Sequence, residues 1–369
     1  MSRDPIGLAM ATMSRIASSS FVERMGLRTT IEKLTYQGTK SGFKALGVAS
    51  RQFKSASQLL RPERLEAPAQ PKTQFDLTIS DEQQMMRDSV RAFATEVLRP
   101  AAAKSNDDEA MSADILAQAN ELGLSYFAVP ENLGGAATER SPVTSMLIAE
   151  DLAYGDMGLA VAILSSIGVA NALTQWGTAT QQSKYLPAFL EENTLQAAIA
   201  INEKRPLFNA NELTTVALEK SDGYLLNGEK TMVPLIDQAE LFLVAASLNG
   251  KPRLFIVESG SQGVTIAKKP NMGVKAAAMG DLSLEQVSVS KDALLGGDEF
   301  DYQAFINMAR LGWCALAVGT AQAVLDYVIP YCNERVAFGE PISHRANGVC
   351  VSSRCSALLL RIHGRLRGQ

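Results

Sequence analysis

The chain is short of the residues on which most protein-borne chemistry depends. It has two histidines, His344 and His363, and four cysteines, Cys314, Cys332, Cys350 and Cys355, with no Cys-x-x-Cys pair among them. That scarcity argues against a Cys/His metal site. It equally argues against Ser-His-Asp or Cys-His nucleophilic catalysis, which needs a positioned base. No run of eighteen apolar residues occurs, so no membrane span is expected. If such a chain is an enzyme, its chemistry belongs to an organic cofactor.

What is present suits a globular protein. The 369 residues are 46% hydrophobic and 20% charged, enough for two or three packed units with real cores. The net charge of -4 conceals an asymmetry. Residues 1–72 hold 12 Lys+Arg against 5 Asp+Glu, and residues 344–369 hold 5 Arg and no acid, which leaves 73–343 strongly acidic. Basic ends of this kind read as attachments rather than core.

Residues 1–72 form a basic extension and linker. Ile6, Met10, Met13 and Ala17 recur at helical spacing, and Phe43, Leu46 and Phe53 suggest a second helical stretch. Three readings stand open for 1–65: an extra helical layer on the core, an amphipathic segment on an anionic membrane surface, or an organellar transit peptide. Glu66–Lys72 carries two prolines and reads as a linker.

Residues 73–194 read as a helical domain. Ser80 and Gln83 have capping-box spacing, and Met86, Val90, Phe93 and Val97 make one stripe, with Pro100 expected to end that helix. Further helices are predicted over 112–122, 143–154, 158–175 and 178–192, the last interrupted at Pro187. Residues 195–296 read as a small β domain: 196–202 suits a buried strand, as do Leu241–Ala245 and Leu254–Val257, while Leu282, Leu284, Val287 and Val289 nearly alternate. Asn227-Gly228 carries the strongest short hairpin cue. Helical periodicity returns over 300–334, where Phe305, Met308, Leu311, Ala315 and Val318 form a candidate buried face. Gly319, Thr320 and Ala321 beside it permit close helix contact. Residues 297–343 are thus the start of a second helical region. The order helical, β, helical is an α+β architecture of separate packed units.

Six segments in this order resemble the acyl-CoA dehydrogenase family over about 75–343. They are the opening helix Phe75-Asp-Leu to Val90-Arg-Ala-Phe93, the loop Pro130-Glu-Asn-Leu-Gly-Gly135, Lys184-Tyr-Leu-Pro187, Leu226-Asn-Gly-Glu-Lys230, Met272-Gly273 with Val287-Ser-Val289 and Leu294-Leu-Gly296, and Arg335-Val-Ala-Phe-Gly-Glu-Pro-Ile342. The resemblance implies FAD between the β domain and the C-terminal helices, and α,β-desaturation of fatty acyl-CoA thioesters as in fatty acid β-oxidation. A carboxylate base would take the α proton, and the β carbon would deliver hydride to the flavin. An electron-transfer flavoprotein would accept the electrons. Ile201, Asn202, Met232, Val233, Pro234, Arg335 and Phe338 are the implied cofactor contacts, the last two reaching the neighbouring subunit's FAD in a homo-oligomer. Arg310 is the implied substrate contact. The implied location is the bacterial cytoplasm, with peripheral membrane contact through 1–65 or a mitochondrial location as alternatives.

The chain departs from the family pattern at three places. Asn202-Glu-Lys-Arg-Pro-Leu-Phe-Asn209 stands where the family has Thr-Glu-Pro and then Gly-Ser-Asp, although an Asn amide can still donate to and accept from a flavin. Pro234 offers neither the hydroxyl nor the N–H expected beside the flavin, and Met232 packs without stacking as an aromatic ring would. No catalytic base is assigned: one family position is Ala309, and the other lies beyond residue 369. Residues 344–369 form an atypical basic tail without helical charge pairing, expected to arise from a frameshift near 345. A membrane or nucleic-acid tail is the rival reading, and the lack of stacking aromatics argues against nucleic acid. Two further readings are a non-catalytic, truncated acyl-CoA- or partner-binding relative and a related flavin oxidase. With one helix in the C-terminal region, its apolar stripe is expected to be left partly exposed.

Overall fold

A computed structural model describes residues 79–136, 142–191, 193–337 and 339–344. The expectations for the basic extension, for Phe338 and for the tail after His344 lie outside the described residues.

Helix α1 (Asp81–Phe93) starts at the predicted capping box: Ser80 Oγ accepts the Gln83 N–H, and Gln83 Oε1 accepts the Ser80 N–H. The helix does not end at Pro100. One π-helical turn, Ala94–Leu98, runs straight into α2 (Arg99–Asp107), and Pro100 lies in the first turn of α2. A proline inside a regular helix clashes with the carbonyl one turn back. The wider turn opens the ladder there, and a first-turn N–H is dispensable. Gly155 closes on this place from the opposite side, where any Cβ would lie 2.6 Å from the Ala94 carbonyl oxygen.

Helix α3 (Ala113–Glu121) is capped by Ser112 and α5 (Met157–Trp176) by Asp156, with α4 (Pro142–Gly155) between them in sequence. A second capping box, Thr178 with Gln181, opens α6 (Ala179–Tyr185), which gives way to a 3-10 turn at Leu186–Phe189 containing Pro187. The Pro130–Gly135 loop turns through Gly134 at φ +92°, and Gly135 packs on the Val129 carbonyl, leaving no room for a side chain.

The β domain is a seven-stranded sheet: β1 (Ala197–Ala200), β2 (Val216–Glu219), β3 (Gly223–Val233), β4 (Leu241–Leu248), β5 (Lys251–Glu258), β6 (Val264–Lys268) and β7 (Gly280–Ser290). β4 pairs in parallel with β1 and β2 and antiparallel with β5, while β3 lies between β2 and β7 and β6 closes the far edge. The expected turn at Asn227-Gly228 is not there. β3 runs through it, and Gly228 faces an irregularity where β7 carries one extra residue, Gln286 at φ +52°, whose N–H is held by Asn227 Oδ1. A bulge needs the same permissive backbone as a turn, so the two leave the same sequence trace. The bulge also explains why the inward apolar positions of β7 change parity between Leu284 and Val287. The Asn-Gly that does make a hairpin is Asn249-Gly250, at φ +52° and +77°, joining the paired residues Leu248 and Lys251.

Helix α7 (Tyr302–Glu334) packs on α4. Phe305, Ala315 and Val318 are buried as expected, whereas Met308 and Leu311 are half-buried. At Gly319 the helices touch so closely that a Cβ would sit 1.9 Å from the Glu150 carbonyl oxygen. The short strands β8 (Val336–Ala337) and β9 (Glu340–Pro341) follow.

The sequence has no unbroken apolar run of eighteen residues, yet two of the described helices meet a looser criterion. Both α5 and α7 are long and apolar enough to cross a bilayer by length and composition alone. Interspersed Gly, Ser and Thr hide this in a search for unbroken runs. In α5 most of the apolar stretch is buried inside the protein, as in a core helix.

Candidate functional site

A cavity of about 320 Å³ lies where the helical domain, the β domain and α7 meet. The face of α5 carrying Val161, Leu164, Ser165 and Gly168 forms one wall, at the i, i+3, i+4, i+7 spacing of a single helix face. The segment leaving β1 contributes Ile201 and Asn202, the end of β3 contributes Met232 and Pro234, and α7 contributes Met308, Ala309, Gly312 and Trp313. Among the described residues, no Asp, Glu, His, Lys or Arg lines it. The lining is therefore suited to an apolar or aromatic ligand, oriented by a few neutral polar groups. Ser165 Oγ is already engaged, donating to the Ala197 carbonyl at 2.8 Å. The Asn202 side-chain amide bonds to no described residue, whereas its backbone carbonyl accepts the Thr231 N–H at 2.9 Å.

Four of the residues singled out from sequence, Ile201, Asn202, Met232 and Pro234, are brought together here. Met232 sits on a second bulge, where β3 carries an extra residue against β7, and its left-handed φ of +56° is held by the pairing on either side. Strain of this kind persists only where the surroundings over-determine it. Val233 is fully buried and does not line the cavity, because one residue along a strand reverses the side chain. Arg310 is exposed and lies off the lining, beside Ala309, which lines it. Arg335 is exposed at the end of α7, where its guanidinium donates to the Tyr331 hydroxyl at 2.6 Å. Phe338 is not among the described residues.

Sequence reading missed the charged support beneath this edge. Lys230 is wholly buried, and its Nζ donates to Glu203 Oε1 at 2.9 Å and to the Ile201 carbonyl at 3.2 Å. Glu203 also accepts from the Thr214 N–H and hydroxyl and from the Thr215 N–H. Burial alone would raise the Glu203 pKa, but these donors outweigh it and hold the carboxyl at about 2. For Lys230, burial dominates and brings the ammonium down to about 8 against the pull of Glu203. A neighbouring group pins the Met232 bulge: Thr231 Oγ1 donates to Asp281, which Lys204 and Lys269 approach at 2.8 and 2.6 Å. Burial would raise the Asp281 carboxyl too, yet Lys204, Lys269 and Thr231 hold it below the ordinary carboxylate value. The available signal was alternation, since Leu226 and Lys230 share a parity on β3 and an inward Lys requires a buried partner.

Comparison with known proteins agrees with this three-part construction. Sequence models of the acyl-CoA dehydrogenase N-terminal, middle and C-terminal domains match residues 80–193, 198–287 and 301–348. An acyl-CoA dehydrogenase of Bacillus subtilis is 30% identical over 276 residues, covering 72% of each chain. The short/branched chain specific mitochondrial acyl-CoA dehydrogenase of Bos taurus is 29% identical over 275 residues, 72% of this chain. The match spans 63% of the length of that bovine relative. A solved acyl-CoA dehydrogenase of Bacillus anthracis, complexed with FAD, superposes with a TM-score of 0.69 at 26% identity, over 80% of this chain and 52% of its own. With three successive domain matches over most of its length, and with their junction forming the cavity, this chain belongs to the acyl-CoA dehydrogenase family.

Proposed function

We propose that the chain binds FAD at the Ile201–Asn202 and Met232–Pro234 edge of the cavity and takes an acyl-CoA thioester against it for α,β-desaturation. The carrying observation is the apolar cavity at the junction of the three family domains, with Asn202 at its edge. The residues fit a flavin ring at one polar point, since the Asn202 amide can both donate and accept, and Met232 with Ile201 offers an apolar bed. Pro234 offers neither a hydroxyl nor an N–H to donate. When bound, the flavin supplies the electron sink for a hydride. The protein's part is to hold the thioester's acyl chain among α5 and α7, exclude water and fix the reacting carbons beside the ring. On this reading electrons leave to an electron-transfer flavoprotein, the assembly is a homo-oligomer, and the site of action is the bacterial cytoplasm. The mitochondrial name of the bovine relative supports the alternative location.

A second reading has its own observation. With no ionisable side chain in the lining, the described residues supply no base for the α proton. The cavity then binds FAD or acyl-CoA without desaturation. Anaerobic addition of acyl-CoA to the purified, FAD-loaded chain separates the two. Bleaching of the flavin band supports desaturation, whereas tight acyl-CoA binding without bleaching supports the binding reading. A chain that takes up no FAD overturns the first. Oxygen consumption would point to an oxidase. Ala309→Glu places a carboxylate on the cavity wall. If only the base is missing, it should speed flavin reduction by about 10²-fold or more, measured by stopped-flow absorbance.

A further inference from the structure

We propose that the buried Glu203–Lys230 pair is a positioning device for Asn202, fixing the polar point of the cavity edge. The inference rests on the reading of that edge as the flavin site. The pair is an unusual thing to find under an apolar cavity. Taking two charges out of water is costly, and the lining meets the pair through the Ile201 backbone carbonyl alone of its described groups. Its geometry explains what it does. Lys230 Nζ spans from Glu203 to the Ile201 carbonyl, so one side chain grips the chain on both sides of Asn202. Glu203 is anchored in turn to Thr214 and Thr215, at the entry to β2. Next to Lys230 in β3, the Thr231 N–H holds the Asn202 carbonyl itself. Residues 201–203 leave β1 without sheet pairing. These side-chain and backbone bonds do the work a neighbouring strand would do. The Asn202 amide is left as the group free to meet a ligand, on a backbone held from both sides.

Arg205 is the other charge that bears on Lys230, and it is directed away, donating to the Asn209 and Glu212 carbonyls. The grip therefore belongs to Glu203, Lys230 and Thr231 together.

The test has a cofactor-free arm and a cofactor arm. In the wild-type chain the Thr231 amide should exchange with deuterium about 10²-fold more slowly than that of the exposed Gly273. Lys230→Met should speed exchange at Thr231 by about tenfold while leaving α1 and α4 unchanged. A Thr231 amide as fast as Gly273 in the wild type overturns the proposal even if every variant fails to fold. For the cofactor, Lys230→Met and Asn202→Ala should each raise the FAD Kd about tenfold, and the double variant no more than either single one, because Lys230 acts through Asn202. Full additivity would mean general destabilisation and would overturn positioning. An unchanged Kd in Lys230→Met alone would do the same. A wild-type chain that takes up no FAD defeats the proposed function instead, and the exchange arm still decides this inference.

Discussion

Helices α5 and α7 are both long and both apolar, yet they live in different surroundings. About two thirds of the apolar window of α5 is buried, against just over a quarter of that of α7. α5 is covered by α4, by β1 and by the loops of the helical domain. α7 is covered on one face of its first half, through Phe305, Ala315 and Val318, although Trp313 is exposed there, and then presents Val324, Tyr327, Val328, Ile329 and Tyr331 to solvent. Composition alone does not distinguish a finished core helix from one whose outer face is bare. The difference is in what packs on each face, and a cluster of exposed apolar side chains marks a surface for association or aggregation.

The comparison can be broken at several points. The largest effect belongs to the place where the two helical regions touch. Gly319→Val puts its side chain into the Glu150 backbone, so it should cost on the order of 4 kcal/mol, as overpacking against unyielding main chain does, read from urea unfolding. Leu173→Ala removes a fully buried side chain from α5 and should cost about 2–5 kcal/mol in the same assay.

A third test uses the charge beneath the cavity. Because Glu203 is held at about 2 in the fold and titrates near 4.5 when unfolded, its contribution is present above pH 4.5 and is lost as pH falls through 2. The loss should be on the order of 3 kcal/mol. Urea midpoints measured across that window should fall steeply in the wild type and less steeply in Glu203→Gln, which starts lower.

Gly250→Ala should cost about 1–2 kcal/mol, since its φ of +77° is left-handed although no described residue crowds it. The smallest effect sharpens the contrast most. Tyr327→Ser on the bare face of α7 should change stability by less than about 0.5 kcal/mol, while shifting the sedimentation profile toward smaller species. A loss as large as that of Leu173→Ala would show that this face is covered after all.

The boundaries of α3, α4 and α5 were legible to within a residue or two from the apolar helical pattern alone, and the structure adds Ser112 and Asp156 as the caps of α3 and α5. Pro100 was misleading because the rule that proline ends a helix assumes a regular ladder, and the π turn removes that assumption. Asn227-Gly228 was misleading because a bulge and a hairpin demand the same backbone freedom. Of the candidate site, Ile201, Asn202, Met232 and Pro234 were found through their resemblance to a known pattern, and they do line one cavity. Val233 fell off it through strand parity, and Arg310 through its angle on α7. Lys230 went unread because its partner Glu203 is 27 residues away in sequence.

By itself the sequence determined the family, the order of helical and β units and most element boundaries. These depend on local periodicity, capping and motif order, which are properties of short segments. Only the tertiary structure decided that β1, β3, α5 and α7 enclose one cavity whose described lining holds no ionisable group, that Lys230 grips the chain around Asn202, and that α5 is mostly buried where α7 is mostly exposed. Each of those depends on which distant residues meet, and long-range contact is set by the packing of whole elements rather than by any pattern within one of them.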